Sequence, residues 1–185
     1  MSRRADAERN RTKILTAARA AFADPDATVS MAEVARRADV GMATLYRNFP
    51  GRQELLEALY TEEVDAICAA AGEVDGFVSW LRRFIAFSTG KRQIAAELLT
   101  HVDGTDPVFD GGRARVMAAG APLLAAAQEA GAIRADLTLE QILDMVIAIA
   151  RIHGDADYVG PILDAALAGL GPETTSRTRS SRPVR

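Results

Sequence analysis

Apolar residues recur at three- and four-residue spacing along most of the chain, and Val, Ile and Thr form no alternating runs, so the pattern predicts helices and no strands. Ile14, Leu15, Ala18, Ala21 and Phe22 mark a first helix that begins between Ala7 and Arg11. Arg9, Lys13 and Arg19 lie on its other face, and Asp24-Pro25-Asp26 ends it. Ser30-Met31-Ala32-Glu33 is a capping box opening a second helix with Met31, Val34, Ala35 and Ala38 on one face. Asp39-Val40-Gly41 interrupts it, and a short third helix runs from about Met42 to Asn48, ahead of Pro50-Gly51.

A fourth helix from Arg52 to about Gly72 buries Leu55, Leu56, Leu59, Tyr60, Val64 and Ile67. Phe77, Trp80, Leu81, Phe84 and Ile85 define a fifth, and Ile94 to Val102 a shorter sixth. Asp106-Pro107 caps a seventh reaching Ala130, which Gly120-Ala121-Pro122 should kink or split and Gly131 closes. Asp110-Gly111-Gly112 reads only as a turn or a helix irregularity. Thr138 to Gln141 is a second capping box, opening an eighth helix to about His153, and a ninth runs from near Tyr158 to Leu170. The eighth is apolar around most of its circumference, and a second copy of the chain is the simplest cover. Pro172 to Arg185 has no periodicity and reads as a flexible basic tail.

The expected fold class is therefore all-α with about nine helices. Composition agrees: 49% of the 185 residues are apolar, 25% are charged and only 5% aromatic. Charge is unevenly distributed. Met1 to Arg52 carries ten Lys/Arg against six Asp/Glu, a net +4; Gln53 to Gly171 carries eight against eighteen, a net −10. A basic head on an acidic body suggests that the head meets a polyanion. Cys68 is the single cysteine, which excludes an intrachain disulfide and a Cys-based zinc site. His101 and His153 are isolated, so neither a metal nor a cofactor is expected, and core or pocket polar roles suit both. The basic start runs into Asp6 and Glu8 without an apolar stretch and no segment is long enough to span a bilayer, so a cytoplasmic protein is expected.

Glu33 to Phe49 supplies the parts of a helix-turn-helix: a supporting helix, a tight turn and a second helix with a free outer face. Leu45, Phe49 and Val40 share the inward side, which leaves Ala43, Thr44 and Arg47 outward with Tyr46 and Asn48 beside them. Small side chains permit close approach to a groove, and Thr, Tyr, Asn and Arg can bond phosphates or base edges. The run from Val34 to Ala38 and from Gly41 to Phe49, centred on Thr44-Leu45-Tyr46 and followed by Arg52 and Leu55, resembles the signature of the TetR family. One position departs from it, because many members carry glycine where this chain has Asp39.

The resemblance implies that Thr44 and Tyr46 bind phosphates and that Gly41, Met42, Ala43 and Arg47 lie near base edges. Arg52 would reach the DNA backbone from the fourth helix, with Asn48, Ser30 and Arg36 adding contacts. It also implies a double-stranded DNA operator, a homodimer built from the last two helices, and a small-molecule effector held in the second domain. The division is then a basic arm over 1–8, a DNA-binding domain with its connecting helix over 9–71, a ligand-binding and dimerisation domain over 72–171, and a tail over 172–185. Trp80, Phe84, Phe87, Met117, Leu124 and Met145, with His101 as a polar partner, can line a pocket for a largely apolar or aromatic effector. The same aromatic residues could equally fill a core. Arg47 and Arg36 are either DNA contacts or solvated surface. Gly-rich phosphate loops, nucleophile elbows and metalloprotease His pairs are missing from the sequence, so an enzyme is not expected. A helical adaptor that binds only protein would explain the late helices but not the Thr44-Leu45-Tyr46 face.

Overall fold

Every regular element among the described residues is an α-helix, as the three-and-four spacing predicts. A computed structural model describes residues 3–23, 29–90, 94, 98 and 107–172. Within them the chain forms α1 (Arg3–Phe22), α2 (Met31–Arg37), α3 (Met42–Asn48), α4 (Arg52–Ala70), α5 (Gly76–Gly90), α6 (Pro107–Glu129), α7 (Leu139–Ala150) and α8 (Ala156–Ala168). Ile94 and Leu98, from the short helix expected over 94–102, are helical and buried; His101 and the tail from Glu173 lie outside the described residues. The first helix begins at Arg3, earlier than the apolar pattern alone indicated, because its first turns are polar on every side and carry no periodic signal.

The helices divide into two packed groups joined by α4. In the first, α1, α2 and α3 close around Ile14, Ala18, Phe22, Val34, Leu45 and Phe49, all buried. α4 lies against α1 on this side and chiefly against α6 on the other. Arg19 ties α1 to α4, its Nε donating to Glu63 at 2.5 Å and its Nη2 to Glu62 at 2.9 Å. In the second group, α7 packs on α5, α6 and α8. Six of its apolar residues, Leu139, Ile142, Leu143, Val146, Ile149 and Ala150, are buried within the one chain, while Ile147 and Met145 are half-buried. The apolar circumference of this helix is thus largely covered by its own chain. It does not by itself require a second copy.

The Thr138 capping box closes in both directions, with Gln141 N–H donating to Oγ1 at 3.2 Å and Thr138 N–H donating to Gln141 Oε1 at 2.9 Å. The Ser30 box closes in one. Ser30 Oγ accepts from Glu33 N–H at 3.1 Å, but the Glu33 carboxylate turns to Arg36 and Arg37. α6 runs through Pro122 as one helix, so the expected split does not occur. Tertiary contact explains why: Trp80 presses on Gly120, where an added Cβ would lie 2.5 Å from its Cη2, and Val116 and Leu124 are buried on either side of the break in propensity.

Candidate functional site

α3 is only seven residues long, so its place depends on what anchors its two ends. Gly41, in extended conformation, caps the start: its carbonyl accepts from Thr44 N–H at 2.9 Å and Leu45 N–H at 3.0 Å. Phe49 ends the helix, fully buried, with the Arg11 guanidinium 4.7 Å above its ring. Leu45 between them is also fully buried. One face is therefore nailed to α1 and α2, and the other is presented outward.

That outward face carries Gly41, Met42, Ala43, Tyr46 and Arg47, all exposed, with Thr44 and Asn48 half-buried at its edges. Tyr46 is 46% exposed although it is aromatic and flanked by two buried residues, Leu45 and Phe49. Core packing does not use it. Arg47 donates to Thr44 Oγ1 at 2.9 Å and Asn48 Nδ2 to the Thr44 carbonyl at 2.8 Å, so the polar groups of the face are pre-ordered along the helix. Ser30 and Arg36 are exposed nearby at the two ends of α2. The turn between α2 and α3 places Asp39 at φ +54°, the left-handed region that glycine adopts most easily, and Val40 N–H closes it on the Ala35 carbonyl at 3.1 Å.

Two of the arginines named from the sequence also have partners within the chain. Arg36 grips Glu33 through Nε at 2.8 Å and Nη2 at 2.7 Å, and Arg37 Nε shares the same carboxylate at 2.6 Å. These hydrogen bonds, Arg36 first, hold the Glu33 carboxyl at a pKa of about 2. Arg52 is half-buried, donates through Nη1 to the Val29 carbonyl, and lies 5.3 Å from the centre of the Phe22 ring. It fastens the start of α4 to the end of α1 and the approach to α2. Arg52 was named from the family resemblance as a backbone contact, and neither this anchoring role nor the Arg11 lock on Phe49 has a local sequence signal.

A second feature lies under α4. A cavity of about 230 Å³ is bounded by Tyr60 of α4, Phe84 of α5, Phe109, Asp110, Gly112, Arg113, Val116 and Met117 of α6, and Leu143 and Ile147 of α7. Its interior is mostly apolar and its polar groups are the Tyr60 phenol, Asp110 and Arg113. Burial pushes the Tyr60 phenol above its ordinary pKa. Arg113 pairs with Glu140 across the α6–α7 contact. Of the pocket residues named from sequence, Phe84 and Met117 stand on this wall, Phe87 and Leu124 are buried, and Met145 is half-buried. Trp80 is 0% exposed and belongs to the core: its indole N–H donates to the Ile67 carbonyl at 3.1 Å, near the end of α4, and its ring stacks between Phe77 and Phe84. Tyr60 and Arg113 were missed because one reads as ordinary helix core and the other depends on a partner 27 residues away.

No helix of the described residues is long and apolar enough to cross a membrane, and no three His, Cys, Asp or Glu side chains among them could hold a metal. Two family models match. Residues 14–59 fit the model of bacterial regulatory proteins of the tetR family, and residues 74–172 that of the C-terminal domain of SbtR-like transcriptional regulators. No curated protein matches in sequence. Among solved structures, the TetR transcriptional regulator SCO0520 from Streptomyces coelicolor is 33% identical with a TM-score of 0.73, covering 88% of this chain and 98% of that one. The TetR regulatory protein from Mycobacterium vanbaalenii is 30% identical with a TM-score of 0.70, covering 92% and 99%. RolR, solved in complex with resorcinol, shares the fold at 23% identity and a TM-score of 0.56, over 99% and 98%.

Proposed function

The chain belongs to the tetR family of bacterial regulatory proteins, and on that premise we propose that it is a cytoplasmic repressor: a homodimer that grips a near-palindromic operator and lets go when a small molecule enters the cavity under α4. The family's activity is DNA-binding transcriptional regulation, not enzymatic catalysis. The observation that carries the reading is the outer face of α3, where Tyr46 is 46% exposed between buried Leu45 and Phe49. Met42 and Tyr46 are exposed together with Gly41, Ala43 and Arg47, and this contiguous face of small, aromatic and basic side chains supports entry into a DNA groove. Thr44 and Tyr46 are assigned to phosphates, and Gly41, Met42, Ala43, Arg47 and Asn48 to the groove, with Ser30 and Arg36 flanking. Residues 9–71 form the DNA-binding domain in this reading and 72–171 the effector and dimerisation domain.

The cavity supports the effector half. Its volume of about 230 Å³ lies just below the roughly 300–1,000 Å³ of drug-sized sites, so a compact molecule fits better than an extended one. Phe84, Phe109, Val116, Leu143 and Ile147 favour an apolar or aromatic body, and the Tyr60 phenol can bond one hydroxyl or carbonyl. Resorcinol, the ligand of RolR, is of this size and mixed polarity. An effector releases DNA only to the extent that it binds the non-DNA-binding conformation more tightly. A gel shift on the DNA upstream of the coding sequence tests the reading: a retarded band that Tyr46→Ala abolishes, and that a cavity-binding compound releases, is expected. Equal retardation by wild type and Tyr46→Ala would remove α3 from the interface.

A further inference from the structure

Val34, Ala35 and Ala38 bury one side of α2, and the side turned from the core carries Glu33, Arg36 and Arg37. Spacings of three and four bring both arginines to the one carboxylate. Glu33 Oε2 accepts from Arg36 Nε at 2.8 Å, and Oε1 accepts from Arg36 Nη2 at 2.7 Å and from Arg37 Nε at 2.6 Å. The carboxylate stands third after Ser30, where it could close the capping box on the Ser30 N–H as Gln141 does on Thr138. It is turned to the arginines instead. A single carboxylate thus holds two of the ten basic side chains of residues 1–52. Arg36 still leaves 72% of its side chain exposed and Arg37 35%, so both stay within reach of a large anion.

This fork lies close to the outward face of α3. α2 packs on α3, with only Ala38 to Gly41 between them. Packed helix axes lie about 8–10 Å apart, close to the Debye length of about 8 Å at physiological salt, so a duplex seated on α3 feels the charges of α2. A phosphate that takes either guanidinium must displace hydrogen bonds of 2.6–2.8 Å and then faces the Glu33 carboxylate, a like charge. We propose that Glu33 is a specificity-determining residue: it limits the grip of Arg36 and Arg37 on phosphates and so restrains sequence-independent binding. On random DNA the head settles wherever phosphates meet the two guanidiniums, whereas on an operator the base contacts of α3 fix the register. The restraint therefore weighs more on random DNA than on the operator. This rests on α3 being the helix that reads DNA, with Arg36 at its flank.

The test uses the full chain as wild type, Glu33→Gln, Arg36→Gln/Arg37→Gln and the triple variant. Two labelled duplexes are titrated by fluorescence anisotropy over about 50–200 mM salt: one that wild type selects from a randomised pool, and a scrambled one. The amide of the Glu33→Gln variant has the length to close the capping box on Ser30, so its helical circular dichroism should match wild type. It should bind the scrambled duplex about tenfold more tightly at about 50 mM salt, with a salt slope steeper by about one unit per arginine released, and gain less on the selected duplex. In the Arg36→Gln/Arg37→Gln background the same change should not steepen the slope, because no guanidinium is left to release. Equal steepening in both backgrounds would reduce Glu33 to one negative charge among others and overturn the proposal. So would an unchanged affinity for the scrambled duplex, or a gain on the selected duplex as large as on the scrambled one. A wild type that selects no duplex would overturn the reading of α3 along with it, which tells the two failures apart.

Discussion

At the scale of single residues, Asp39 shows how local backbone geometry and electrostatics can be separated. Its φ of +54° costs a non-glycine residue about 1 kcal/mol, somewhat less for Asp, and its carboxylate sits in a domain that must approach phosphates. Asp39→Gly should therefore raise stability by roughly 0.5 kcal/mol and tighten DNA binding. Asp39→Asn should tighten binding with little change in stability, because it removes the charge and keeps the backbone. Thermal melts beside anisotropy titrations distinguish the two; an unchanged affinity for both would show that the turn faces away from DNA. Glu33 gives a pH prediction. Its carboxyl falls from 4.5 to about 2 on folding, so its contribution is fully present above about pH 4.5 and is lost as pH drops through 2. Melts of wild type and Glu33→Gln should differ at pH 5 and converge towards pH 2, and a constant gap would mean that the Arg36–Arg37 fork is not formed in solution.

Among the elements, the short helices were legible in the sequence because each carries its own punctuation: Ser30 before α2, Gly41 before α3, Thr138 before α7. The outward face of α3 was legible too, since Leu45 and Phe49 fix its phase. The roles of long aromatic side chains were not. Periodicity places Trp80 and Tyr60 on inward faces but cannot say which inward residue meets a cavity and which meets a neighbouring helix. That depends on pairings far apart in sequence, such as the Trp80 indole with the Ile67 carbonyl and Gly120, or Tyr60 with Gly112. Trp80 is consequently predicted to act through stability. Trp80→Ala should cost about 3–5 kcal/mol, as for other fully buried aromatics, and should lower the melting temperature before any specific loss of effector response. A normal melt with a blunted effector response would return Trp80 to the pocket.

For the molecule as a whole, the proposed homodimer needs a surface that brings two recognition helices to one operator. The apolar girth of α7 no longer supplies it, because α5, α6 and α8 cover most of that girth within one chain. α8 keeps a stripe that its own chain covers only in part. Tyr158 is 61% exposed, and Ile162 and Ala166, four and eight residues on, are half-buried beside the core residues Leu163 and Leu167. Spacing of four puts these three on one side of the helix, an arrangement that suits packing against the same helix of a second copy across a two-fold axis. Wild type should then show twice its 19.8 kDa chain mass by light scattering. Ile162→Arg should shift it towards monomer and, because each half-site alone contributes only part of the affinity, weaken operator binding far more than any single phosphate contact would. Circular dichroism of that variant belongs beside the light scattering, because Ile162 is half-buried against the protomer core and the interface reading needs the helical signal retained. A variant that stays dimeric and keeps full operator affinity would move the interface off α8.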